Sequence, residues 1–178
     1  GLSRNSLGDA GVAALSGHLV GGHLRPDSLL LSQNRIGDAG ATHLATAIAG
    51  APTWRLRVLG LGENLIGPAG GVQLIRALSG VRLNSLNLSG NRLDDSCALE
   101  LAAALGSKRP LATSLQELRL EGNHVGETGA LAIAKAVEEG GGTRLRSLSL
   151  RNNSLASGSG AERALRHACA ARKIKCLT

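Results

Sequence analysis

An eleven-residue pattern of apolar side chains and one asparagine recurs along this chain of 178 residues and limits its fold more than any other feature. In residues 83–93, LNSLNLSGNRL, leucine occupies the first, fourth, sixth and eleventh positions and asparagine occupies the ninth. The ninth-position asparagines are spaced by 29, 30, 27, 32 and 30 residues; they are Asn5, Asn34, Asn64, Asn91, Asn123 and Asn153. Self-similarity at one period predicts a stacked repeat protein. Residues 1–178 are therefore expected to form one domain of about six repeats.

Each repeat is predicted to contain a short strand, a turn and a helix. The apolar fourth and sixth positions alternate with polar third, fifth and seventh positions, which is the period of a strand with one buried face. Acidic, glycine-containing turns such as GDAG (37–40) and GETG (126–129) follow and favour a helix start. Apolar pairs four residues apart then predict helices with one buried face; they are Leu15/Leu19, Leu44/Ile48, Leu74/Leu78, Leu101/Leu105, Ile133/Val137 and Leu165/Cys169. Stacking should align the strands in a parallel sheet.

Three segments depart from the pattern. Residues 94–97, DDSC, replace the glycine-containing turn, and residues 106–114 are expected to be a longer loop. Near the end, Ile174 and Leu177 fit the first and fourth positions of one more strand. Because the chain begins inside a repeat, it is expected to be part of a longer array.

The ninth-position asparagine has a predicted structural role. After the strand, the backbone turns away and leaves N–H and C=O groups that no neighbouring strand can satisfy. An amide side chain carries both a donor and an acceptor. A column of asparagines could therefore serve these buried groups from repeat to repeat.

The residues that carry this pattern, as in NRIGDAGATHLATAI (34–48), resemble the leucine-rich repeat family and its ribonuclease-inhibitor-like class. The resemblance covers essentially the whole chain. It implies an α/β solenoid shaped as a horseshoe, with parallel strands on the concave face and helices on the convex face. It also implies a protein-binding role, usually intracellular, as in ribonuclease inhibitor, innate immune receptors, Ran GTPase-activating proteins and ciliary regulatory subunits.

The concave face is the expected binding surface. Small residues dominate its early repeats, and charged residues appear in the last two. The candidate partner-binding residues on this face are Arg57, Glu63, Asn87, Glu117, Arg119, Glu121, His124, Arg146 and Arg151. A solvated charged face is the alternative interpretation.

The formal net charge of +7 is concentrated near the C-terminal end. Residues 1–150 are nearly balanced, whereas residues 151–178 contain six Lys or Arg and one Glu. The candidate basic end consists of Arg163, Arg166, Arg172, Lys173 and Lys175. Such a cluster could bind the phosphates of a nucleic acid, but no aromatic side chains interleave with it for base stacking. A solvated or protein-contacting end is the favoured interpretation.

The remaining candidates have plain structural interpretations. His167, Cys169 and Cys176 are not expected to bind a metal, because residues two apart on a helix point to different sides. Cys97 is expected to pack in the core. Trp54 either covers the end of a helix or anchors a partner. The sequence thus predicts no catalytic residues, no metal and no cofactor.

The predicted function is a non-enzymatic recognition or scaffold module that binds a protein through the concave face and the C-terminal end. Two alternatives remain open: a regulator of an enzyme, such as a GTPase activator, and a basic subunit of a ribonucleoprotein. Three cysteines without regular spacing favour a reducing compartment, so an intracellular, cytoplasmic location is expected. No apolar stretch is long enough to predict a membrane span.

Overall fold

A parallel sheet of six short strands follows the chain order in the computed structural model, which describes residues 1–21, 24–50 and 55–178. The strands are β1 (Ser28–Leu30), β2 (Val58–Gly60), β3 (Ser85–Asn87), β4 (Glu117–Arg119), β5 (Ser147–Ser149) and β6 (Lys175–Leu177). The helices are α1 (Gly8–Val20), α2 (Asp38–Gly50), α3 (Pro68–Leu78), α4 (Asp95–Gly106), α5 (Pro110–Ser114), α6 (Glu127–Glu138) and α7 (Gly160–Ala171). The predicted alternation of strands and helices is confirmed.

The middle residue of each strand points into the core, and equal positions of successive repeats lie side by side. Leu59 pairs with Leu86, Leu86 with Leu118, and Leu118 with Leu148. These four leucines are fully buried. The register is therefore fixed by the apolar pattern, because a shift by one residue would turn this leucine column out of the core.

The core lies between the sheet and the helices and is aliphatic. Sixth- and eleventh-position side chains such as Leu61, Ile66 and Leu88 are fully buried there. The predicted helix pairs supply the opposite wall, and all of their members are buried except Leu15, which is half-buried. Each repeat thus buries its apolar surface against its neighbours.

The ninth-position asparagine joins each repeat to the preceding one. Asn91 Nδ2 donates to the backbone oxygens of Leu88 in its own repeat (3.0 Å) and Leu61 in the preceding repeat (2.9 Å). Its Oδ1 accepts from the backbone N–H of Ile66 at 3.1 Å. The same arrangement is made by Asn34, Asn64, Asn123 and Asn153. The prediction that this amide satisfies buried backbone groups is confirmed.

The residue just before the asparagine, at the eighth position, has a positive φ in all six repeats that contain this position in the described structure. The residues are Arg4 (64°), Gln33 (59°), Glu63 (54°), Gly90 (63°), Gly122 (64°) and Asn152 (55°). Glycine adopts this left-handed conformation without a steric penalty, whereas the other residues must be held in it. Because several residue types occupy the position, the sequence pattern did not reveal this constraint.

A carboxylate from one repeat caps the helix of the next repeat. Asp38 Oδ1 accepts hydrogen bonds from the backbone N–H groups of Gly67 (2.7 Å) and Gly70 (2.9 Å), where α3 begins. Asp9 does the same for Gly37 and Gly40 at the start of α2. The acidic residue therefore has a wider role than the sequence predicted, since it stabilises a neighbouring helix terminus as well as its own first turn.

The helix of the fourth repeat, α4, receives no cap from the preceding repeat and is capped by a residue of its own repeat. Pro68 occupies the position from which an aspartate would cap α4. Instead, α4 is capped by its own Asp94, whose Oδ1 accepts from Ser96 N at 2.9 Å. The inter-repeat cap resumes when Asp95 accepts from Gly126 N at 2.6 Å. The DDSC departure in the sequence thus replaces a missing cap.

Two predictions near the departures are wrong. The segment 106–114 is not only a loop, because Pro110–Ser114 forms the short helix α5, which buries Leu111 and Ala112. A proline at the first helical position was the signal for it. In the last strand, Cys176 and not Leu177 lies beside Leu148 at the fourth position, so the proposed register was displaced by one residue. Trp54 lies outside the described residues.

The asparagine column predicts a position-dependent loss of stability. Asn91→Ala should lower the free energy of unfolding by about 1–3 kcal/mol, because it leaves buried backbone groups without partners. Asn5→Ala is the matched control, since Asn5 is exposed and its side chain donates only to the Ser3 backbone oxygen among the described residues. Urea unfolding should give a change below about 0.5 kcal/mol for this control. Equal midpoints for the two variants would contradict the assigned role.

Two glycine-to-alanine substitutions should change stability in opposite directions. A Cβ at Gly70 would lie 2.7 Å from Asp38 Cα and 2.9 Å from the Asp38 backbone oxygen, so Gly70→Ala should be destabilising by about 1–3 kcal/mol. A Cβ at Gly17, inside α1, would meet no atom of the described structure within 4 Å. Gly17→Ala should therefore be stabilising by about 0.5–1 kcal/mol. Thermal unfolding measures both. A Gly70→Ala variant as stable as the wild type would show that the repeat spacing at Gly70 is not limiting, and a destabilised Gly17→Ala variant would contradict the prediction for α1.

Candidate functional site

The side of the sheet opposite the helices, here called the sheet face, is formed by the third, fifth and seventh positions of each repeat. The fifth position reads Leu30, Gly60, Asn87, Arg119, Ser149 and Leu177 from β1 to β6. The seventh position reads Ser32, Gly62, Ser89, Glu121 and Arg151 in the same direction. The predicted change from small to charged residues along this face is thus present in the folded chain.

One charged group on the sheet face is held by hydrogen bonds across β3 and β4. Glu117 Oε1 accepts from Arg119 Nε at 2.8 Å and Nη2 at 2.6 Å. Glu117 Oε2 accepts from Ser85 Oγ of the preceding repeat at 3.0 Å. The hydrogen bonds from Arg119, with a further one from Ser85, hold the pKa of Glu117 below its ordinary value despite partial burial. Glu117 is therefore ionised at neutral pH and fixed in orientation.

A second carboxylate on the sheet face, Glu121 in the seventh-position row, also contacts a serine of the preceding repeat. Ser89 Oγ lies 2.8 Å from Glu121 Oε2 and 2.6 Å from Asn87 Oδ1, and its single hydroxyl proton can be donated to one of these acceptors at a time. The Ser89 backbone N–H also donates to Asn87 Oδ1 at 3.0 Å. Arg151 follows Glu121 in the seventh-position row, and its side chain has no hydrogen bond or ion pair to the described residues. The face therefore presents two anchored carboxylates, one paired guanidinium and one unpaired guanidinium.

The other predicted partner-binding residues lie on the two edges of the sheet and not on the sheet face. Arg57 and Arg146 lie at the edge where helices end and strands begin, here called the strand-start edge. Glu63 and His124 lie at the opposite strand-end edge, after the strands. Glu63 Oε2 accepts from Gln33 Nε2 at 2.6 Å. The predicted set is thus divided among three surfaces.

The predicted basic end is also divided. Arg166 binds the Glu162 carboxylate through Nε (3.1 Å) and Nη2 (2.6 Å), and Arg163 donates to the Gly158 backbone oxygen. Arg172 and Lys173 instead line a groove on the strand-start edge. Lys175 is exposed at the third position of β6. These five residues therefore do not form one patch.

Glu162, the one acidic residue among residues 151–178, is also hydrogen-bonded to neighbouring groups of the same segment. The pKa of Glu162 is held below its ordinary value, chiefly by the Gly158 N–H and then by Arg166. Its Oε1 also accepts from Thr178 Oγ1 at 3.1 Å. Glu162, Arg163 and Arg166 thus stabilise the start of α7.

Cys97 and Cys169 pack in the core, as the sequence predicted. Cys97 is buried, and its Sγ donates to the Pro68 backbone oxygen at 3.6 Å. Burial raises the pKa of the Cys97 thiol to about 11. Cys169 is buried in α7, and its thiol donates to Cys176, which lowers the pKa of Cys176 and raises that of Cys169. Within residues 1–21, 24–50 and 55–178, no three His, Cys, Asp or Glu side chains are grouped as a metal site.

Residues that anchor the charged groups were missed by sequence reasoning. Ser85 and Ser89 occupy the third and seventh positions, as Glu117 and Glu121 do one repeat later. In a parallel sheet with the repeats in register, equal positions are neighbours. The shared third and seventh positions were therefore enough to predict that Ser85 lies beside Glu117 and Ser89 beside Glu121. In the part of the chain that the structure describes, no helix is long and apolar enough to span a bilayer.

Three segments of the chain match the family model described as Leucine Rich repeat: residues 28–45, 83–102 and 112–134. Each match contains a whole strand, the asparagine turn and the first part of the helix that follows. The unmatched segments 46–82 and 135–178 each contain the same strand, asparagine turn and helix, and their strands belong to the same sheet. The fold is therefore a solenoid of leucine-rich repeats.

Thiol accessibility should distinguish the three cysteines. Because the thiolate is the reactive form, Cys97 and Cys169 should react slowly with a disulfide reagent such as DTNB in the folded protein, and Cys176 should react first. In urea all three should react at similar rates. Cys176→Ser should remove the fast phase. A fast phase that survives this substitution would contradict the assignment.

Proposed function

We propose that this leucine-rich repeat solenoid is a protein-recognition module whose binding surface is the sheet face of the last two complete repeats. The group carrying the proposal consists of Glu117, Arg119, Glu121 and Arg151. Proteins built from leucine-rich repeats generally act as protein-interaction modules. The family alone does not identify the binding surface, which depends on the residues at specific positions.

The observation that supports this proposal most directly is the anchoring of the charged side chains. Glu117 and Glu121 are each held by a serine of the preceding repeat, and Arg119 is held by Glu117. Side chains fixed before binding lose less conformational entropy when a partner docks. A charged face that only contacts solvent has no need to hold its side chains in fixed positions. Arg151 adds an unpaired guanidinium of the kind that is enriched at interface hot spots.

The proposal includes membership of the ribonuclease-inhibitor-like class of leucine-rich repeat proteins. Repeats of about 30 residues that contain a full helix support a place in the ribonuclease-inhibitor-like class. The matched segments support leucine-rich repeats in general. No contact among the described residues distinguishes between the two alternative functions. These are regulation of an enzyme, such as a GTPase activator, and assembly in a ribonucleoprotein. Stimulated GTP hydrolysis would support the first, and salt-sensitive binding of generic RNA would support the second.

Replacing the two sheet-face arginines should remove partner binding while the fold is kept. The double variant Arg119→Ala/Arg151→Ala, used as bait in an extract of the native cells, should lose proteins that the wild-type chain retains. Truncation of two hot-spot arginines should lower affinity by at least about tenfold. Recovery is measured by quantitative mass spectrometry, and circular dichroism confirms folding.

The matched control removes the same charge from the strand-end edge. Arg35 and Arg92 are exposed tenth-position residues whose side chains have no partners among the described residues. The variant Arg35→Ala/Arg92→Ala should retain the wild-type set of partners. Unchanged recovery with the sheet-face variant, or equal loss with both variants, would refute the proposed surface.

A further inference from the structure

A groove on the strand-start edge collects guanidinium groups that belong to four different positions in the sequence. It has a volume of about 710 Å³ and is lined by Arg55, Arg57, Arg82 and Arg144. Arg55 and Arg57 precede β2, Arg82 precedes β3, and Arg144 precedes β5. Stacking of the repeats therefore brings together charges that are up to 89 residues apart in the chain.

These guanidinium groups lack counter-ions in the described structure. All four arginines are exposed, and none has a side-chain hydrogen bond or ion pair to another described residue. The ends of α2 and α3 also face this edge, and their partial negative charge offsets part of the mutual repulsion. Four like charges around one groove still favour the approach of an anionic group.

Three carboxylates of the repeats are held at the opposite edge of the sheet. Asp9, Asp38 and Asp95 cap helix starts at the strand-end edge. Capping thus holds these three carboxylates away from the groove, whereas Asp27, whose backbone oxygen accepts from Arg57 N at 2.7 Å, lies at the same edge as the groove.

The groove continues along the edge into a second one. A neighbouring groove of about 310 Å³ shares Arg144 and adds Arg146, Arg172 and Lys173. Together the two run past the starts of β2 to β6. With neighbouring strands about 4.8 Å apart, this track is roughly 19 Å long at the sheet, which matches about six residues of extended chain.

We propose that this arginine track binds an extended acidic segment of a protein partner. The lining between the arginines includes Ile48, Ala77, Val81 and Pro110, which suits aliphatic side chains interspersed among carboxylates. Arginine recognises carboxylates by paired hydrogen bonds. A single-stranded nucleic acid would need stacking partners, and the chain has no Phe or Tyr and one Trp. The site is separate from the sheet face, so each proposal can fail without the other.

The test uses a fluorescein-labelled synthetic peptide in which pairs of glutamates alternate with single leucines. Fluorescence polarisation should show binding that weakens as salt rises. A peptide of the same length with glutamine in place of glutamate should bind at least about tenfold more weakly. The double variant Arg82→Gln/Arg144→Gln should raise Kd for the acidic peptide by about tenfold or more. Arg35→Gln/Arg92→Gln, which removes the same charge from the opposite edge, should leave Kd within about twofold of the wild-type value.

The outcomes separate this proposal from its competitors. Loss of peptide binding in the strand-start variant, with retention in the strand-end control and in Arg119→Ala/Arg151→Ala, supports the track. If Arg82→Gln/Arg144→Gln and Arg35→Gln/Arg92→Gln weaken peptide binding equally, the peptide is attracted only by the net positive charge of the protein. That result would overturn the proposed arginine track. Tighter binding of a single-stranded RNA of equal length than of the acidic peptide would also overturn it. Circular dichroism of each variant checks that a loss of binding is not a loss of folding.

Discussion

The hydrogen bonds of the ninth-position asparagine are the interaction on which the rest of this structure depends. Each buried amide joins the sixth-position carbonyls of two adjacent repeats and an eleventh-position N–H of the preceding repeat, as Asn64 does with Leu61, Leu31 and Ile36. These backbone groups lie where the strand has ended and the helix has not begun, so neither element can satisfy them. The amide therefore sets the spacing between repeats at the point where the chain turns.

That spacing brings the helix starts of adjacent repeats close together, and acidic residues use the proximity. Asp38 can reach Gly67 and Gly70 only because α2 and α3 are stacked without an intervening side chain. Three aspartates thereby lie on the strand-end edge, and four arginines line the groove on the strand-start edge. Capping thus determines where these three carboxylates lie on the surface.

The apolar pattern was sufficient to predict the strands, the parallel register and the buried helix faces, because these follow from local periodicity and from the need to stack. It was not sufficient for Pro110–Ser114, where a short helix interrupts a segment without periodicity. The last strand shows a related weakness. Cys176 fills the leucine position, so the apolar residues Ile174 and Leu177 suggested a register displaced by one residue.

For the candidate site, the sequence by itself determined which positions could face solvent and where charge appears along the repeats. Only the tertiary structure decided which of those charges meet. Ser85 and Ser89 acquire their carboxylate partners through pairing of β3 with β4. Arg57 and Arg146 lie away from the sheet face, because second-position side chains reach the ends of the helices. The reason is physical: periodicity fixes the direction of a side chain, whereas its neighbours depend on how repeats of unequal length stack.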